Sequence, residues 1–267
     1  MTRAALPLWR NLTSPGAEAL IARDPVVVLP LAAVEQHGPH LPVGTDLDIL
    51  EGLLAAAWSA LPADFPGAVL PPQAVGASAE HARFPGTASL PAGTLEDVVY
   101  HQGAALASHG VRRLVLVNTH GGNRHVLDAA GLRLRADHGT LVVKASYFRF
   151  ARPGSVELPD AEWRHGLHGG AVETSMMLHL RPDLVRIEAL ADARSLGHEL
   201  ERSLERLGPE GEASFSWLAG DLHPSGVTGD ATSATAEMGR LLVTHYAEAL
   251  ASVLRDARAF PLERLRR

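Results

Sequence analysis

The run Val26-Val27-Val28-Leu29-Pro30-Leu31, continued by Val34-Glu35-Gln36-His37-Gly38-Pro39-His40-Leu41-Pro42-Val43-Gly44-Thr45-Asp46, decides the fold. Its first half is apolar without a break and is bounded by Pro25. That is the pattern of a strand buried on both faces, as in a parallel sheet, and not of one with a wet side. From Asp46 to Ala60 the composition turns helical. A strand that passes through a polar loop into a helix opens an α/β unit, and open α/β sheets place their binding crevices at that junction. Glu35 and His37 alternate as strand residues do, so both can point to one side. Asp46 returns a carboxylate to the same region after a turn stiffened by Pro39 and Pro42. Carboxylate, imidazole and carboxylate form a donor set suited to a divalent transition metal, so the loop reads as half of a metal site.

Working outward, the same alternation recurs. Ser14 before Pro15 predicts a helix N-cap and a short helix to about Arg23. Ala68-Val69-Leu70 predicts a short strand. Thr94 with Asp97 predicts a capped helix to about His109, stopped by Gly110. Leu114-Val115-Leu116-Val117, within Arg113 to Asn118, predicts another buried strand, followed by a helix to about Asp137 and a strand at Leu141-Val142-Val143. Tyr147 to Leu167 reads as irregular. A helix is expected after His168-Gly169-Gly170, ending near Arg181-Pro182. Glu199 to Gly211 reads as an exposed charged excursion, and Ala231 to Arg255 as the last helix, capped by Asp230. The order implies an α/β protein with a mostly parallel sheet and helices on both faces. No internal repeat or low-complexity linker divides the chain, so residues 1–267 are expected to form one domain.

Composition narrows the function. A net charge of -6 gives no support for nucleic acid or an anionic membrane as partner. No stretch reaches the about 20 apolar residues that a membrane span needs. Met1 to Arg10 lacks the apolar centre of a signal peptide. The absence of cysteine excludes disulfides, thiolate ligands and cysteine nucleophiles. A cytoplasmic enzyme is the expectation. Fourteen histidines are many for this length, and several stand in glycine-rich loops.

One of these is His120, which follows a buried strand directly and precedes Gly121-Gly122, where backbone can approach closely. Alone it reads equally as a helix-cap histidine. Parallel strands end on a common edge, however, so His120 should rise beside Glu35 and His37. A third element is His168 with Glu173. Glu173 lies between apolar Val172 and Met176, and a buried carboxylate needs a partner that a cation would supply; alone it also reads as a helix N-terminal glutamate stabilised by the dipole. Glu80 and His81 precede Phe84-Pro85-Gly86-Thr87 and either line the pocket, reach a neighbouring subunit or form a surface pair. His40 is read as supporting the site or facing the substrate.

Together, Glu35-Gln36-His37-Gly38-Pro39-His40-Leu41-Pro42 with Gly44-Thr45-Asp46, Phe84-Pro85-Gly86-Thr87, Asn118-Thr119-His120-Gly121-Gly122-Asn123, His168 to Glu173-Thr174-Ser175, and Gly226-Val227-Thr228-Gly229-Asp230 resemble the creatininase (creatinine amidohydrolase) family. The resemblance spans about residues 9 to 250. It implies a three-layer α/β/α sandwich, a site with two divalent ions (zinc, manganese or iron), hydrolysis of a non-peptide C–N amide bond by metal-activated water, and often a hexamer. Carried over, Glu35, Asp46 and His120 would hold the first ion, with Asp46 bridging to a second held by His37. Creatininase itself takes its fifth ligand two residues after the histidine, where this chain has Gly122; relatives with Gly-Gly there use the glutamate of Glu-Thr-Ser, which makes Glu173 the fifth ligand. His168 matches the proton-transfer histidine, so His168 and Glu173 are the candidates for the chemistry itself. Of the two tryptophans that close over creatinine, only Trp163 lies near a matching place, and Lys144 to Phe148 holds none.

The resemblance leaves three small-molecule or peptide amides open: creatinine-like cyclic amides, a formamide on a pyrimidine intermediate, and a modified peptide as in mycofactocin-associated relatives. His40, Glu80, His81 and Trp163 are the expected substrate contacts. Two rivals come from other classes. A binding module would use a closed metal site only to hold loops, and a nucleotide-binding α/β protein would need a Gly-x-Gly-x-x-Gly turn that does not follow the first strand.

Overall fold

The computed structural model describes residues 6–266; the first five residues of the segment read for a leader lie outside them. The main sheet has four parallel strands in the order β2-β1-β3-β4, with β1 at Val26–Leu31, β2 at Gly67–Val69, β3 at Arg113–Asn118 and β4 at Leu141–Ser146. Val26 pairs with Gly67 and Arg113, and Arg113 pairs with Leu141, so Leu31, Asn118 and Ser146 end level with one another. The helices are α1 (Ser14–Ile21), α2 (Thr45–Ser59), α3 (Ala92–Ser108), α4 (Arg124–His138), α5 (Asp160–His165), α6 (Ala171–Leu180), α7 (Gly197–Ser203), α8 (Ala219–Leu222) and α9 (Ala236–Ala259).

Alternate strand residues face opposite layers. Val26, Val28, Val115 and Val117 pack with Leu50, Leu54 and Trp58 of α2 and with Leu250 and Leu254 of α9. Val27, Leu29, Leu114 and Leu116 pack with Leu95 and Val99 of α3 and with Leu127 and Leu134 of α4. The fold is therefore a three-layer α/β/α sandwich. Every residue of β1 and β3 is buried, which is why valine and leucine fill both strands apart from Pro30 and the terminal Arg113 and Asn118. A further apolar cluster joins Ile49 and Leu53 of α2, Met176 and Met177 of α6, and Leu242, Val243 and Tyr246 of α9. It fixes α6 beside the carboxyl edge of the sheet.

Several local expectations are corrected. The cap of α1 is Thr13, whose Oγ1 accepts from the Gly16 backbone N–H at 3.2 Å, and not Ser14. The α3 helix starts earlier than Thr94: Leu95 N–H already reaches back to the Pro91 carbonyl at 3.1 Å, so Thr94 and Asp97 lie inside the helix. The stretch 147–167 is not wholly irregular, since it contains a tight turn at Tyr147–Arg149 and α5. Asp230 does not cap the last helix. Gly229 and Asp230 pair antiparallel with Asp192 and Ala193, which keeps the chain extended to that point. Asp230 then caps the turn Ala231–Ser233, and Thr235 caps α9 by accepting from Met238 N–H at 3.1 Å.

Candidate metal centre

The level strand ends bring three segments together. The β1 loop supplies Glu35 and His37, the first turn of α2 supplies Asp46, and the β3 loop supplies His120. All four are buried. Asn118 shapes the β3 loop: its Nδ2 donates to the His120 carbonyl at 2.7 Å, and its Oδ1 accepts from the His120 and Asn123 N–H groups. Thr119 Oγ1 donates to the Asp46 carbonyl at 2.9 Å and ties the start of α2 to the same edge.

Ligand-type atoms gather there in overlapping groups, each within 4.8 Å: Glu35, Asp46 and His120; His37, Asp46 and Glu173; and Glu35, His37 and His168. The first two share Asp46, and they use different oxygens of it. Asp46 Oδ2 stands 3.6 Å from His120 Nδ1, and Oδ1 stands 3.8 Å from His37 Nε2. Glu173, from the first turns of α6, brings Oε2 to 3.8 Å from the same His37 nitrogen. Its carboxylate is aimed by Gly169 N–H, donating at 2.6 Å, and by the Tyr147 hydroxyl, donating at 3.3 Å.

The ring nitrogens are set from behind. His37 Nδ1 donates to the Glu35 carbonyl at 3.1 Å, which leaves Nε2 bare toward the carboxylates. His120 Nε2 donates to the Ala77 carbonyl at 3.0 Å, with Ser78 Oγ at 3.2 Å, which leaves Nδ1 toward Glu35 at 3.1 Å. Backbone partners of this kind orient metal-binding imidazoles and fix their tautomers.

Among the described residues, three buried side-chain atoms have no hydrogen-bond partner: Glu35 Oε2, His37 Nε2 and Asp46 Oδ2. Each is costly to leave so, at about 1–3 kcal/mol or more for a charged group. Electrostatics say the same. Burial pushes the Glu35 carboxyl up, but the charge and hydrogen bond of His120, helped by His168 and His81, outweigh it and hold Glu35 below the usual carboxylate range. Burial opposes charge on His120 too, yet Glu35, then Asp46 and Glu80, push it up to about 10. Asp46 is raised by burial and by the Glu35 charge. Burial keeps His37 well below its ordinary value. A concentration of buried carboxylate that recruits a proton onto His120 is a site lacking positive charge, and nitrogen and oxygen donors without sulfur suit zinc, manganese or iron. The residues fit divalent ions.

The structure therefore brings together Glu35, His37, Asp46, His120, Glu173 and His168. Glu80 and His81 flank them. His81 Nε2 stands 3.6 Å from Glu35 Oε1, and Glu80 Oε1 stands 3.5 Å from His120 Nε2. Gly122 makes room for that carboxylate, since a Cβ there would lie 2.5 Å from Glu80 Oε1 and 2.4 Å from the Ala77 carbonyl. His40 and Trp163 are directed elsewhere. His40 Nε2 donates to the Gly169 carbonyl at 3.0 Å, with Thr174 Oγ1 at 3.1 Å, and so braces the turn before α6. Trp163 packs against the apolar cluster of α2, α6 and α9, with the Arg152 guanidinium 5.2 Å over its ring. Sequence reasoning missed Tyr147, Ser78 and Gln36. Tyr147 was findable as the residue that follows β4, just as Glu35 and His120 follow β1 and β3; Ser78 carried no signal.

Comparison with known proteins identifies the family of the chain. The model of the creatininase family, described as creatinine amidohydrolase, matches residues 10–254. The chain is 37% identical over 218 residues to the mycofactocin precursor peptide peptidase of Mycolicibacterium smegmatis, covering 80% of this chain and 78% of that one. It is 36% identical over 201 residues to the creatinine amidohydrolase of Pseudomonas putida, covering 68% and 75%. A solved structure of creatininase with manganese in its title superposes with a TM-score of 0.76 at 27% identity, covering 96% of this chain and 99% of that one. The chain belongs to the creatininase family and is a hydrolase.

Proposed function

We propose that this hydrolase is a two-metal amidohydrolase whose substrate is a peptide-type amide. The observation that carries the reading is the pair of buried ligand groups sharing Asp46, with unpartnered atoms on Glu35, His37 and Asp46. Glu35, Asp46 and His120 would hold one ion, and His37, Asp46 and Glu173 the other. Two divalent ions, when bound, lower the pKa of a shared water and polarise the substrate carbonyl. His168 would accept the proton of the attacking water at Nδ1 and pass it to the leaving nitrogen, because its Nε2 already donates to the Gln36 carbonyl at 2.6 Å. The buried walls exclude bulk water, which strengthens these interactions.

The peptide choice rests on two supports. Curated relatives at 35–37% identity covering 80–88% of the chain are named mycofactocin precursor peptide peptidase. Of the two tryptophans that the resemblance expects to close over creatinine, Lys144 to Phe148 holds none, and Trp163 is packed among apolar side chains. A cyclic amide such as creatinine is the second reading, supported by the creatinine amidohydrolase relative. We also propose a single catalytic domain acting in the cytoplasm as a homo-oligomer, on the span of the family match, the lack of cysteine and the family resemblance. Among the described residues no helix is long and apolar enough to cross a membrane.

The test reloads metal-stripped protein separately with zinc, manganese and iron and follows amine release from short peptides, a formamide and creatinine. Peptide cleavage dependent on metal is expected; turnover of creatinine alone would replace the peptide reading, and no turnover in any metal form would remove the hydrolytic assignment. Glu173→Ala should lose one metal equivalent by elemental analysis and keep the other, whereas retention of both would exclude Glu173 as a ligand.

A further inference from the structure

Gln36 lies between the two ligands of the β1 loop, and its side chain is tied on three sides. Gly38 N–H donates to Gln36 Oε1 at 2.9 Å, which fixes the carbonyl end of the amide. The nitrogen end therefore faces the Gly226 carbonyl at 2.8 Å and His81 Nδ1 at 2.9 Å. A primary amide nitrogen only donates. His81 Nδ1 must accept, so in the neutral ring the proton sits on Nε2. The Nε2–H group points toward Glu35 Oε1, which at 3.6 Å is beyond hydrogen-bond distance.

The backbone of the same residue sets a second ring. The Gln36 carbonyl can only accept, so His168 Nε2, at 2.6 Å, carries a proton and His168 presents Nδ1, 3.6 Å from Glu35 Oε1. The two rings lie against each other, with centroids 4.2 Å apart. One glutamine thus determines what each of two neighbouring imidazoles offers: His81 an N–H, His168 a lone pair.

We propose that Gln36 is a positioning residue whose side chain holds His81 as a neutral N–H donor to the substrate oxygen, beside the lone pair of His168 that receives the proton of water. The inference rests on the amidohydrolase reading. Amide hydrolysis forms a C–O bond and breaks a C–N bond; the proton taken at His168 Nδ1 departs on the leaving nitrogen, while negative charge gathers on the former carbonyl oxygen. A fixed N–H directed at that oxygen stabilises the transition state without changing its own protonation. A neutral donor also adds no positive charge to a region that is to hold divalent ions.

The test is Gln36→Glu, nearly isosteric, whose carboxylate accepts and cannot donate. Long-range proton–nitrogen NMR on histidine-labelled protein, metal-free and zinc-loaded, reads the tautomer directly. Wild type should show His81 bare at Nδ1 and protonated at Nε2, and Gln36→Glu should reverse this. On the peptide that wild type cleaves best, kcat should fall on the order of 10²-fold in Gln36→Glu and in His81→Phe, which removes the donor, with metal content and KM little changed and no further loss in the double variant. If Gln36→Glu does not fold, Gln36→Met, which removes the donor, should leave His81 exchanging between tautomers and lower kcat likewise. A wild-type His81 protonated at Nδ1, a reversed tautomer with normal kcat, or a loss confined to metal content would each overturn the proposal. A wild type that cleaves no amide would remove the hydrolytic reading alone, because the tautomer measurement needs no substrate.

Discussion

Gly122 shows how one missing side chain shapes the centre. A Cβ there would meet the Ala77 carbonyl at 2.4 Å, His120 Nε2 at 2.4 Å and Glu80 Oε1 at 2.5 Å. The Glu80 carboxylate could swing away, but the Ala77 carbonyl is backbone and the imidazole is wedged between it and Glu35. Gly122→Ala should therefore displace His120. Overpacking of this kind costs about 1–3 kcal/mol, and disturbing the partner behind a metal-binding histidine costs about 10- to 100-fold in affinity. The expected result is weaker zinc binding by competition with a chelator, at a smaller loss of melting temperature; unchanged affinity would mean that the loop yields. The same position explains why the candidate site was only partly legible. Glu35, His37, Asp46 and His120 announce themselves by spacing after strands, while the carboxylate that fills the space beside Gly122 comes from a loop 42 residues earlier, at Glu80.

The elements that hold the site are α6 and α9, and their contact is backbone against backbone. A Cβ on Gly239 of α9 would lie 1.8 Å from the Ser175 carbonyl of α6. Alanine in a helix interior is worth about 0.5–1 kcal/mol over glycine. That gain is smaller than the overlap costs, since neither helix can retreat without opening the cluster of Met176, Met177, Leu242 and Val243. Gly239→Ala should thus lower the melting temperature despite its better propensity. Because α6 carries Glu173, the variant should also lose one metal equivalent more readily than the other. A melting temperature equal to or above wild type would show that the helices separate freely. Periodicity revealed both helices; their close approach was invisible to it, because two segments more than 50 residues apart meet there.

Across the whole molecule, pH reads the packing of the layers. Tyr246 is buried between α9 and its neighbours. Burial, partly offset by Arg152, pushes its phenol from 10.0 up to about 12. The folded pKa exceeds the unfolded one, so this contribution is fully present below pH 10 and is lost as pH rises from 10 to about 12. The loss amounts to roughly 2–3 kcal/mol. Denaturant unfolding through that window should show a falling limb that is shallower by about this amount in Tyr246→Phe, and equal limbs in the two proteins would refute the assignment.

The sequence by itself determined the α/β class, the parallel strands and the segments that supply the site. Short Val and Leu runs bounded by turn residues match strands covered on both faces, and residues directly after parallel strands share an edge. Element boundaries escaped it where a partner intervened, as at Pro91 and at Asp230, whose strand pairing with Asp192 delays the last helix. Tertiary structure alone decided that Asp46 offers one oxygen to each of two ligand groups, that His40 and Trp163 turn from the site to brace and fill the fold, and that Gln36 governs two imidazoles. These depend on angles and on contacts between distant segments. Local pattern carries the period of burial, while the direction of a lone pair is set by whatever lies behind the ring.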